Sequence, residues 1–157
     1  MKKTKRFKLS IMTLLTVFLL SLGASSAFAA YGWADTMETA QVMYNPTSNN
    51  SSFSSTIRLD GPSDSDFYVV DNTYGSYTFS FSVVATPPSN FDIVLAVIKM
   101  NANDDILYID YNNYNGKGYP ELISMGVKPG ERVYFRVMSD GQNNYDEPYT
   151  ITFTKTS

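Results

Sequence analysis

The stretch Tyr77-Thr78-Phe79-Ser80-Phe81-Ser82-Val83 decides the fold. Large apolar side chains alternate with small polar ones, and a period of two puts Tyr77, Phe79, Phe81 and Val83 on one face of a strand. The pattern returns in Val133, Phe135 and Val137, interleaved with Arg132, Tyr134 and Arg136. It returns again in Tyr149, Ile151 and Phe153, interleaved with Thr150, Thr152 and Thr154. Each reads as a strand with one buried face. Phe91 to Met100 is apolar on both faces, with Ile93, Leu95 and Val97 on one and Val94, Ala96 and Ile98 on the other. Its β-branched content and the flanking Pro87-Pro88 favour a central strand over a helix. Weaker strands are predicted at Thr56–Leu59, Phe67–Val70, Ile106–Tyr111 and Glu121–Met125. About eight short strands separated by Gly, Pro and Asn predict an all-β chain, a jelly-roll-like β-sandwich with a short N-terminal arm.

Only Asp35 to Met43 reads as helical, because Asp35 and Glu38 have the spacing of a capping box. Asn45 to Ser55, rich in Asn and Ser, reads as a flexible linker. A loop is expected from Asn112 to Pro120, where Asn115-Gly116 is a tight-turn signal and Tyr114 and Tyr119 are good contact residues.

At the N-terminus Lys2, Lys3, Lys5, Arg6 and Lys8 precede an apolar run, Leu9 to Leu22, and then Ala27-Phe28-Ala29. This is the order of a secretory signal peptide. The apolar run is shorter than the roughly 20 residues of a spanning helix, so no stable membrane anchor is expected after cleavage behind Ala29. The expected organisation is a signal peptide over 1–29, an arm and linker over 30–55 and the sandwich over 56–157, in a secreted, extracellular protein.

Removing the signal peptide leaves seven basic residues against fifteen acids, a net charge near −8. Such a surface repels phosphate backbones, so nucleic acid is not an expected partner, and bound cations are a more natural complement. The chain has no Cys and no His. Disulfides, a Cys nucleophile and a Ser-His-Asp triad are excluded, and metal ligands are limited to oxygen donors. The acids Asp104, Asp105, Asp110, Glu121, Asp146 and Glu147 show no spacing that singles out a glycosidase pair. No enzymatic activity is expected.

The string Asp64-Ser65-Asp66-Phe67-Tyr68-Val69 is the most specific in the chain. It resembles the opening of a strand in the bacterial pre-peptidase C-terminal domain, the family that includes the collagen-binding domains of clostridial collagenases. Four further pieces agree in order: Asp35-Thr36-Met37-Glu38-Thr39-Ala40, Phe91-Asp92-Ile93-Val94-Leu95, Lys128 to Val137, and Pro148 to Phe153. Ala34 stands where the family often has Asn. The resemblance implies a jelly-roll sandwich with no catalytic activity, usually appended to secreted peptidases. It also implies binding of collagen or another polymer in some members, and of calcium where the arm meets the sandwich in others.

On that basis the candidate calcium ligands are Asp35 and Glu38 on the arm and Asp64 and Asp66 at the strand opening, with Asp60 nearby. The same residues also admit local roles: Asp35 and Glu38 as helix caps, Asp64 as the closure of an Asx-turn after Gly61-Pro62. The candidate ligand-binding residues are Tyr134 and Arg136, which alternate outward from Val133, Phe135 and Val137, extended by Tyr108, Tyr111, Tyr114 and Tyr119. Ordinary cross-strand packing is the alternative role for them. The expected function is a secreted, non-catalytic module, calcium-stabilised, that recognises an extracellular protein or polymer or a secreted peptidase. A stand-alone setting is expected, without a preceding peptidase domain, and this leaves a protease-associated role in trans, as chaperone, inhibitor or immunity factor, as the alternative.

Overall fold

The computed structural model describes residues 32–48, 50–141 and 143–157; the expected signal peptide lies outside them. Nine strands form two sheets, and there is no helix among the described residues. The strands are β1 (Gln41–Tyr44), β2 (Ser52–Ile57), β3 (Ser65–Asp71), β4 (Phe79–Thr86), β5 (Ile93–Asn101), β6 (Ile106–Asn112), β7 (Glu121–Val127), β8 (Glu131–Ser139) and β9 (Tyr149–Lys155). The five-stranded sheet runs β1-β3-β8-β5-β6 and the four-stranded sheet β2-β9-β4-β7.

The pairing is nested. β2 pairs with β9, β3 with β8, β4 with β7 and β5 with β6, all antiparallel. A chain folded back on itself in this way and rolled over gives the jelly roll, with β4–β9 and β5–β8 as the contacts made by rolling. β1 lies outside the eight-strand pattern and pairs parallel with β3.

The core follows from the alternation. Tyr68 and Val70, Val133, Phe135 and Val137, and Ile93, Leu95 and Val97 face inward from one sheet, meeting Phe79, Phe81, Val83, Tyr149, Ile151 and Phe153 from the other. The rings interlock, Phe81 standing edge-on to Phe135 at 6.0 Å centroid separation across the sheets and packing on Phe153 at 5.4 Å.

The N-terminal arm departs from expectation. Asp35–Met43 is not a helix: Thr36–Thr39 form a turn, with the Thr39 N–H on the Thr36 carbonyl at 3.2 Å and the two hydroxyls 3.1 Å apart. Those hydroxyls bond locally to backbone and to each other, which competes with helix formation. Gln41 onward then gains more by pairing with Tyr68 and Val69 than a solvated helix would. The segment read as a linker holds an Asx-turn at Asn45, whose side chain accepts from Thr47 and Ser48, and then most of β2. The expected boundary at residue 56 therefore falls within a strand.

Candidate functional site

The arm delivers an acid to the mouth of the sandwich. Ala34 has φ 64°, the left-handed region, and its carbonyl accepts the Phe67 N–H at 2.7 Å, fastening the arm to the start of β3. Asp35 is thereby placed beside Asp64 and Asp66, and one carboxylate oxygen from each lies within 4.8 Å of the others. Gly32 makes the room: a Cβ there would stand 2.2 Å from Asp35 Oδ1. Glu38 is not in this group; it is exposed and bonds to Thr36.

Each carboxylate is held differently. Asp64 Oδ2 accepts the Asp60 N–H at 2.6 Å and Oδ1 accepts the Ser65 N–H at 2.7 Å; neither is the N–H two residues on that an Asx-turn uses, and these bonds hold the carboxylate at the cluster. Asp35 Oδ1 is buried without a hydrogen-bond partner among the described residues. Asp66 is 1% exposed and accepts the Tyr149 hydroxyl at 2.5 Å. The Tyr149 oxygen in turn lies 2.6 Å from the Tyr68 hydroxyl. Since Tyr149 spends its only proton on Asp66, Tyr68 is the donor of that second bond.

Burial, and then the charges of Asp64, Asp35 and Asp60, push Asp66 up to about 7 against the pull of the Tyr149 hydrogen bond. Burial and the same neighbours raise Asp35. Carboxylates crowded this way repel one another, and a bound cation removes the penalty. The donors are all hard oxygens, the set that calcium takes. The orphaned Asp35 oxygen fits such an ion.

Tyr134 and Arg136 lie where the alternation puts them, on the outer face of the five-stranded sheet. In register across it, Phe67, Arg136, Ala96 and Tyr111 form one row, and Val42, Val69, Tyr134, Ile98 and Ile109 the next. Tyr134 thus stands at the centre of an apolar platform. The Arg136 guanidinium lies over the Phe67 ring at 5.4 Å and that of Arg132 beside the Tyr134 ring at 6.0 Å. Tyr111 extends the platform to its edge and is 60% exposed.

Tyr108 is not on this face. It stands opposite Lys99 with a register shift at Lys99/Met100, and shares its side with Asp110, to which its hydroxyl donates at 2.6 Å. That bond, more than the nearby Tyr114, raises the Tyr108 pKa. Tyr114 and Tyr119 are 82% and 67% exposed on a loop tied by Asn113 to Asp140 and by Gly118 to Phe91. The three tyrosines form a set apart from Tyr134.

A cleft of about 410 Å³ opens between β6 and β7, lined by Lys99, Leu107, Tyr108, Ile123, Met125 and Glu131 among others. Its single acid is committed, Glu131 pairing with Lys99 at 2.6 Å and accepting the Lys128 N–H. Of the acids named in the sequence analysis, Asp104 pairs with Arg132, Asp105 with the Asn101 amide, and Glu121 accepts the Asn115 N–H from its buried position. What sequence reasoning missed was Tyr149, whose motif was seen but not its bond to Asp66.

No protein-family model matches the chain, and no curated protein matches it in sequence. Among solved structures it is similar to the pre-peptidase C-terminal domain of collagenase from Bacillus anthracis, at 13% identity and a TM-score of 0.41 over 68% of this chain and 89% of that one. It is also similar to the Yersinia pseudotuberculosis-derived mitogen, at 14% identity and a TM-score of 0.38 over 67% and 82% of the two chains. A third likeness is to PirA, at 9% identity and a TM-score of 0.39 over 69% and 95%. No helix among the described residues is long and apolar enough to cross a membrane.

Proposed function

We propose that this chain is an exported, non-catalytic module that binds an extracellular protein or polymer through the outer face of its five-stranded sheet. Calcium held by Asp35, Asp64 and Asp66 fastens its N-terminal arm. The observation that carries the binding role is the row Val42, Val69, Tyr134, Ile98 and Ile109, an apolar strip spanning five strands with an aromatic ring at its centre. Aromatic and Arg side chains in such settings dominate binding energies. The commitment of the acids to ion pairs and backbone donors supports a module without chemistry of its own. The calcium role is supported by the convergence of three carboxylates with an unsatisfied oxygen among them.

Co-sedimentation with fibrillar collagen, elastin and chitin, and capture on immobilised secreted peptidases, test the binding role. Tyr134→Ala is expected to weaken the productive interaction more than tenfold with the melting temperature unchanged. Leu122→Ala, exposed on the other sheet, is the control. Equal binding by both variants refutes the assignment of the face.

A further inference from the structure

The outer face carries a cation with no counter-ion. The chain's other described arginines are matched with acids, Arg58 with Asp60 and Arg132 with Asp104. Arg136, four residues from Arg132 on the same side of β8, has no acid within 4.0 Å among the described residues, and its Nε is buried without a hydrogen-bond acceptor. This happens in a domain where acids outnumber bases by fifteen to seven. The Phe67 ring supports one face of the guanidinium, and Ala96, its small neighbour in the row, leaves the opposite flank low. Burial alone lowers the Arg136 pKa, as expected of a charge drawn out of water without a partner.

We propose that Arg136 is an anion-recognition residue, and that the partner presents a carboxylate to its fork beside an apolar or aromatic group that packs against Tyr134. The inference rests on the outer face being the contact surface. A planar guanidinium gives two parallel N–H donors that match a carboxylate, with geometry that a lysine does not reproduce. An uncompensated, partly buried cation is a burden on the free protein, and the incoming carboxylate supplies the missing charge and acceptor in one step. The flanking apolar row selects for what is attached to that carboxylate.

The probe is N-acetyl-phenylalanine, a carboxylate next to a ring, compared with its neutral amide. With 15N-labelled protein, the Arg136 Nε–H resonance, assigned from its disappearance in Arg136→Lys, is expected to move saturably with the acid and to stay still with the amide. Arg136→Met keeps an aliphatic cover over Phe67, so its melting temperature is expected to equal or exceed that of the parent. Its affinity for the macromolecular partner should fall at least tenfold. No movement of the resonance with the acid, or equal movement with the amide, overturns the proposal. If Tyr134→Ala releases the partner and Arg136→Met does not, the anion site falls and the contact face stands. If neither variant releases it, the face itself is wrong.

Discussion

Tyr149→Phe removes one oxygen from the interior and should be expensive. The Tyr149 hydroxyl donates to Asp66 at 2.5 Å and accepts from Tyr68 at 2.6 Å, and all three residues are at most 1% exposed. Phenylalanine fills nearly the same volume, so no cavity large enough for water replaces the hydroxyl. Two buried polar groups are orphaned, each at a cost of about 1–3 kcal/mol, which puts the loss at about 2–6 kcal/mol. In melting temperature that is on the order of 10 °C. The loss also depends on pH. Asp66 has a folded pKa of about 7 against an ordinary 3.8, so the metal-free native state binds the extra proton more tightly than the unfolded chain. Its contribution to stability is fully present below about pH 4 and is lost as the pH rises through about 7. Because the Tyr149 hydrogen bond lowers that pKa, its removal raises the folded value further and carries the decline to higher pH. Urea unfolding in excess chelator at several pH values between 5 and 9 measures both effects. A loss below about 0.5 kcal/mol at pH 8, the size of an unremarkable surface change, would refute the buried relay.

The same cluster predicts the calcium response. Calcium at about 100 times its dissociation constant should stabilise the parent by about 2.7 kcal/mol; Asp66→Asn should abolish most of that gain in a melting experiment, whereas Glu38→Gln should keep it. Ala34→Gly should raise stability by about 0.5–1 kcal/mol, the net of about 1–2 kcal/mol of left-handed strain relieved and the chain entropy that glycine adds, as read from paired urea curves. N-terminal sequencing of the protein recovered from culture medium should begin at Ala30; Met1 retained on a membrane-bound species would contradict export.

Strands whose inward residues are large and outward residues small and polar were legible directly, because period two is a local property: β4, β8 and β9 needed only their own residues. β2 was not, since Ser52, Ser54 and Ser55 give it the composition of a linker, and only its register with β9 turns it into a strand. β1 was hidden by the Asp35 and Glu38 spacing, which mimics a helix start until Thr36 and Thr39 bond to one another. Of the acidic cluster, the Asp64 and Asp66 pair is local and visible, while Asp35 entered through a motif and Glu38 entered with it wrongly placed in space. The Tyr149–Asp66 bond spans 83 positions, and no local signal announces it. Outward placement of Arg136 followed from alternation, but its lack of a counter-ion required neighbouring strands in register. Tyr108 lies three residues from Tyr111 in β6, and that odd spacing in a strand sends the two to opposite faces.

The nested pairing has a consequence for how the chain reaches its native state. β9, the last strand in chain order among the described residues, sits in the middle of its sheet between β2 and β4, and β8 sits between β3 and β5. An N-terminal fragment thus has two half-sheets with gaps where their central members belong. Closing them needs loops of nearly the whole domain, which makes such topologies slow to fold. A chain taking the proposed export route would therefore stay translocation-competent until β9 is available, with no stable core to unravel on the way. Deleting residues 149–157 would not trim the domain; it would remove the strand on which β2 and β4 close, and leave a polypeptide that never collapses into a protease-resistant form.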